Sequence, residues 1–166
     1  NSKETVNLAA INHPVKEIFW GLVPTAFGSS GLNGAPGTAG NDQFNTSGST
    51  AAFVQGSLPH FQDGSNRLMF NGHQRFDIGM STQYYTQMQP FMHHTRVPLN
   101  NVMMYSFALS PEEAQPSGSC NFSRIDTVTL ELTTSATSTA SNGFFYALNY
   151  NSFRVAGGGG GLQWAN

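Results

Sequence analysis

The residues best suited by type to chemistry are two adjacent histidines, His93 and His94. Imidazole binds metal ions and changes charge near neutral pH. In extended chain, neighbouring side chains point to opposite faces, so this pair is poorly placed to share one ion. His73 joins them only through tertiary contact, and the His-x-His with later Glu and His of a cupin-type centre is missing. Ordinary hydrogen-bonded histidines are expected. Glu112 and Glu113 are adjacent carboxylates, but consecutive helical positions do not face each other. Ser110-Pro111-Glu112-Glu113 instead reads as a helix start, with Ser110 as cap, Pro111 at the first position and Glu113 closing a capping box. Ser117 to Cys120 lacks the glycine elbow and partners of a nucleophile, and Cys120 reads as a small packing residue. Gly157 to Gly161 is followed by Leu162-Gln163, where a phosphate loop needs Lys and Ser or Thr. A flexible run is expected there. Asn45-Thr46-Ser47 and Asn121-Phe122-Ser123 match the glycosylation sequon. Asn45 is the more accessible candidate, whereas Asn121, at a tight corner, is expected to bond local backbone. No catalytic, metal or cofactor-binding residue emerges.

What must position these residues is a chain of 166 residues, the length of one domain. Aromatics are 12% of the chain, with 13 Phe, and charged residues are 10%, against a usual ~25%. A surface so poor in charge suits packing against copies of itself better than life as a dispersed monomer. The net charge of −2 and the lack of a Lys/Arg cluster argue against nucleic-acid binding. A lone Cys120 rules out an internal disulfide and is compatible with a reducing site of folding. No apolar run approaches the ~20 residues of a membrane span.

Val15 to Val23, between Pro14 and Pro24, reads as a strand buried on both faces at Ile18 to Trp20. Pro14 is expected to hold His13 extended. Residues 24–52 are rich in Gly, Ser, Ala, Thr and Asn, and read as a long loop insertion. Asn71-Gly72, between Arg67–Phe70 and His73–Phe76, is a type I′ hairpin signal. Ser81 to Met88 is a short helix candidate with Ser81 as N-cap. Val102 to Leu109 is a strand, and Pro116 and Gly118 stop the turn that follows. In Arg124 to Leu132, Val128, Leu130 and Leu132 alternate with polar residues, marking a half-buried strand. Thr133 to Asn142 reads as polar loop, then Phe144 to Tyr150 and Phe153 to Ala156 as strands. Six to eight short strands with long loops and one or two helical turns predict an all-β antiparallel jelly-roll sandwich.

Four segments recur in a known order: Asn12 to Trp20, Phe70 to Phe76, Gln89 to Thr95, and Tyr105 to Asp126. Asn149-Tyr150-Asn151 and a glycine-rich end complete the set. Together they resemble the C-terminal half of the major capsid proteins of nucleocytoplasmic large DNA viruses. The residues carrying the resemblance are His13, Pro14, Trp20, Asn71, Gly72, Pro90, His93, His94, Tyr105, Pro116, Gly118, Cys120, Asn121, Arg124 and Asp126. Two departures stand out: Gln74, where relatives often carry an acidic residue, and the purity of the terminal glycine run. The resemblance implies a double jelly-roll subunit, of which residues 1–166 are the second roll, lacking its first strand or strands and belonging to a longer polypeptide. Asn166 resembles the family's C-terminus. It further implies homotrimeric, pseudo-hexagonal capsomers tiling an icosahedral shell, assembled in the host cytoplasm. Neighbouring capsomers, penton and minor capsid proteins would be partners, with no direct nucleic acid and an internal virion membrane nearby. Phe- and Met-rich loop segments, such as Met88 to Met92, are expected at trimer contacts. The competing readings are a lectin-like jelly roll, which would hold a glycan as a monomer, and a cupin-like metalloenzyme.

Overall fold

The computed structural model describes residues 2–24, 66–76, 79–98, 102–134 and 141–164. The insertion over 25–52, Asn45, and most of the loop expected between Thr133 and Asn142 lie outside these residues. The strands are β1 (Ser2–Asn7), β2 (Pro14–Pro24), β3 (Arg67–Phe70), β4 (His73–Gln74), β5 (Met103–Ser106), β6 (Cys120–Asn121), β7 (Val128–Thr134), β8 (Ser141–Asn149), β9 (Phe153–Ala156) and β10 (Gly159–Leu162). A π-helical turn, Tyr84–Met88, runs directly into a short helix α1, Gln89–His93. Every pairing among these strands is antiparallel, as expected of the all-β reading.

One sheet has the order β1-β7-β3-β4. The other is centred on β2, with β8 along one side and β5 and β6 end to end along the other. β9 and β10 form a separate hairpin. The two larger sheets share one core. Val128, Leu130 and Leu132 of β7 are buried and meet Ile18 and Trp20 of β2 and Met103 and Tyr105 of β5, so the alternation read in β7 points where period-two geometry requires. Each such side chain contributes roughly 1.5–3 kcal/mol by leaving water. In β2 a register shift between Val15 and Glu17 moves the inward positions from odd to even numbers. Ile18 and Trp20 are buried as expected, while Phe19, on the opposite face, is only half-buried. Edge-to-face and tilted rings of Phe70, Tyr105, Phe107 and Phe122, with centroids 5.1–6.2 Å apart, tie both sheets to the corner after β5.

Asn71 and Gly72 have φ of 50° and 79°, the two positive values a type I′ turn demands. Ser81 Oγ accepts the Tyr84 N–H at 3.3 Å, as a helix cap would. The helix then continues past Met88 to His93, because Pro90 stands at the first turn of α1, where its missing N–H costs nothing.

Four expectations are corrected. Ser110 does not cap a helix: its N–H donates to Ser117 Oγ at 2.9 Å, and residues 110–113 form only a turn closed by Glu113 N–H to the Ser110 carbonyl. Glu113 therefore closes no capping box. The glycine run is a hairpin, with Gly157 and Gly158 at φ 60° and 82° forming the turn and Gly159 to Gly161 lying in β10. His13 is not extended but has φ 71°; its N–H donates to Ser123 Oγ at 2.8 Å and its carbonyl accepts from Phe122 N–H, which together override the preference set by Pro14. Finally, β7 runs through Thr134 and β8 opens at Ser141, so both ends of the expected polar loop are strand.

Candidate functional site

His93 and His94 sit at the C-terminal end of α1, not in a strand, so the strand geometry expected to separate their side chains does not apply. His94 leaves the helix in extended conformation, with φ −119° and ψ 156°. Its Nε2 lies 2.9 Å from Glu17 Oε2 and its Nδ1 3.2 Å from Glu112 Oε1. The register shift in β2 puts Glu17 on the face opposite Ile18 and Trp20, yet its side chain, in contact with His94, is only 4% exposed. A buried carboxylate requires a partner, and His94, 18% exposed, supplies it. Glu112 also accepts from the Thr95 N–H at 3.1 Å and the Thr95 hydroxyl at 3.2 Å. These bonds, led by the backbone N–H, hold its carboxyl below the usual range. His93 Nδ1 lies 3.0 Å from the Leu109 carbonyl oxygen. Three elements distant in sequence, β2, the end of α1 and the corner after β5, are thus pinned together. Among the described residues no group of three or more His, Cys, Asp or Glu is arranged to hold a metal.

The remaining motif residues gather mainly around a second corner. Pro14 pairs with Asn121 and Val15 with Cys120. Asn121 Oδ1 accepts the Ser123 N–H at 3.1 Å, the local backbone bond expected of it. Cys120 packs against the core, and burial pushes its thiol up. Gly118 has φ 144°, and a Cβ there would stand 2.7 Å from the Phe107 carbonyl oxygen. Trp20, Pro90 and Tyr105 are buried, while Pro116, Arg124 and Asp126 are exposed. Sequence reasoning missed the pairing of Glu17 with Glu112 through His94. The available signal was Glu17 itself, an acidic residue inside the apolar run Val15 to Val23.

The surface is rich in large apolar side chains. Phe91 and Met92 on α1, Met88 on its preceding turn and Leu109 after β5 are exposed, Phe91 by 76% and Leu109 by 75%. The contact of His93 Nδ1 with the Leu109 carbonyl oxygen ties the backbone at Leu109 to the end of α1. A second stripe, Phe144, Tyr146 and Leu148, lies along the outer face of β8. A third, Phe153, Val155 and Leu162, lies on the terminal hairpin. Exposed apolar side chains in such number are candidate interaction surfaces.

Comparison with known proteins agrees with this architecture. The profile for large eukaryotic DNA virus major capsid proteins matches residues 1–161. The chain belongs to that family. The family's major capsid protein from Pyramimonas orientalis virus is 35% identical over 178 aligned residues, covering 93% of this chain and 37% of the relative. That of Phaeocystis pouchetii virus is 49% identical over 104 residues, covering 60% of this chain and 20% of the relative. The capsid protein in the PBCV-1 virus capsid superposes with a TM-score of 0.70 at 31% identity, over 99% of this chain and 46% of that one. The chain thus spans less than half the length of these capsid proteins, and its antiparallel jelly-roll fold is theirs.

Proposed function

We propose that the chain is the second jelly roll of a double jelly-roll capsid subunit, three of which form a pseudo-hexagonal capsomer of an icosahedral virion shell. The observation that carries this reading is the near-complete superposition on a capsid chain at an identity high enough to imply more than a shared fold. The physical character of the chain supports it. Charge is scarce, the core joins two sheets into one rigid block, and apolar ridges remain uncovered. Rigid blocks tile with little ordering cost, and threefold contacts are heterologous, joining two different surfaces of the same subunit. The ridge of Met88, Phe91, Met92 and Leu109 is assigned to such a contact. His93 and His94 then serve assembly by fixing that ridge, not by catalysis. Neighbouring capsomers, penton and minor capsid proteins are the partners assigned, in the virion and, before it, in the host cytoplasm where the shell is built. An internal membrane lies near the shell's inner face. With 7 Lys and Arg in 166 residues, direct contact with nucleic acid is not assigned.

The test is size-exclusion chromatography with light scattering on the product of the complete reading frame. A trimer is expected, and Phe91→Ser with Leu109→Ser is expected to shift it toward monomer without lowering the thermal midpoint. A complete product that stays monomeric at every concentration, or that holds a glycan as a monomer, overturns the reading.

A further inference from the structure

The chain is helical without a break from Thr82 to His93, yet the turn Tyr84–Met88 is π-helical. The Gln89 N–H donates to the Tyr84 carbonyl, five residues back, where an α-helix would use Tyr85. Such turns are rare and are frequent at functional sites. Pro90 gives the local reason for this one. In a straight helix its ring would press on the carbonyl of Thr86, four residues back, and offer it no N–H. A wider turn just ahead of Pro90 relieves the crowding. The turn also changes the surface. Thr82, Tyr85 and Thr86 are buried. A straight helix with those residues inward would carry Gln89 inward and swing Met92, three residues further on, toward the same side. Instead Gln89 and Pro90 are both buried and Met92 is 60% exposed. One extra residue in the turn rotates everything after it by about 100°.

Gln89 is a buried amide with both ends in use. Its Oε1 accepts the Ser106 N–H of β5 at 3.1 Å, and its Nε2 donates to the Tyr84 hydroxyl at 2.8 Å. The Ser106 N–H can meet only the oxygen, which fixes the amide's orientation. Gln89 thus grips Tyr84 twice across the π turn, at its carbonyl and at its hydroxyl. The Tyr84 ring stands edge-on to Phe76 and Tyr85, and Tyr85 stands edge-on to Trp20 in the core. A buried amide satisfied at both ends selects one geometry, because any other leaves buried polar groups without partners. We propose that Gln89 is a positioning residue for subunit assembly: it locks the π register and so turns Met88, Phe91 and Met92 toward the neighbouring subunit. This rests on the assignment of that ridge to a contact between subunits.

The test uses the complete polypeptide carrying Gln89→Leu with Pro90→Ala. The first change removes the grip on Tyr84 and Ser106, and the second supplies the N–H that closes a straight-helix bond to Thr86. Peroxide oxidation of Met92, followed by mass spectrometry in the diluted monomer, should slow at least about threefold as that side chain turns inward. The trimer dissociation constant, from light scattering across a dilution series, should rise at least about tenfold, because only the π register is competent to assemble. Tyr84→Phe is the milder probe. It keeps the ring contacts with Phe76 and Tyr85 and loses one hydrogen bond, so it reports even where the paired change fails to fold. Its dissociation constant should rise about threefold, with Met92 slowed in the same direction. Parental Met92 oxidation in the folded variants overturns the proposal. So does a parental dissociation constant in a variant whose Met92 has slowed. Met92 is read in the monomer, so the hold of Gln89 on the turn is judged apart from the placing of the ridge at a subunit contact, which Phe91→Ser with Leu109→Ser tests.

Discussion

Replacing His94 by Phe keeps a ring over Glu17 while removing the two imidazole nitrogens that contact Glu17 and Glu112. Glu17 is then a buried carboxylate, with a side chain 4% exposed and its 2.9 Å contact with His94 gone. Removing one partner of a buried pair typically costs about 3–5 kcal/mol, because it leaves the other charge uncompensated. The reference is the double variant Glu17→Gln with His94→Phe, which has the same ring and no carboxyl, so the loss of the His94–Glu112 contact is common to both and cancels. In urea denaturation at pH 7 the double variant should be the more stable by about 3 kcal/mol, with the slope of the transition unchanged. A gap under about 1 kcal/mol refutes the reasoning.

Glu112 is held below the usual carboxylate range by the Thr95 N–H. Its contribution is therefore complete above the ordinary glutamate value and lost as pH falls through its lower folded one. Glu112→Gln should be less stable than the parent near pH 6, and the two acid-denaturation curves should converge at the acid end. Leu130→Ala, at a fully buried site in β7, should cost about 2–5 kcal/mol in urea denaturation. Gly118→Ala places a Cβ 2.7 Å from the Phe107 carbonyl oxygen at φ 144°. It should lower the thermal midpoint by several degrees, corresponding to more than about 1 kcal/mol, whereas Gly72→Ala, with no atom within 4 Å of its Cβ, carries only the cost of positive φ.

Much of this protein was written in local pattern. The β7 alternation, the Asn71-Gly72 turn and the apolar run of β2 each follow from side-chain period or turn chemistry that acts within a few residues. The family could be read from the order of its motifs. Tertiary structure decided the rest, because it set partners that lie far apart in the chain. His94 meets Glu17 across 77 positions and Glu112 across 18, and no local spacing encodes that. His13 takes a positive φ because Ser123 and Phe122, 110 and 109 residues away, bind its backbone. The glycine run, featureless as a string, becomes a strand only because Phe153 to Ala156 pairs with it.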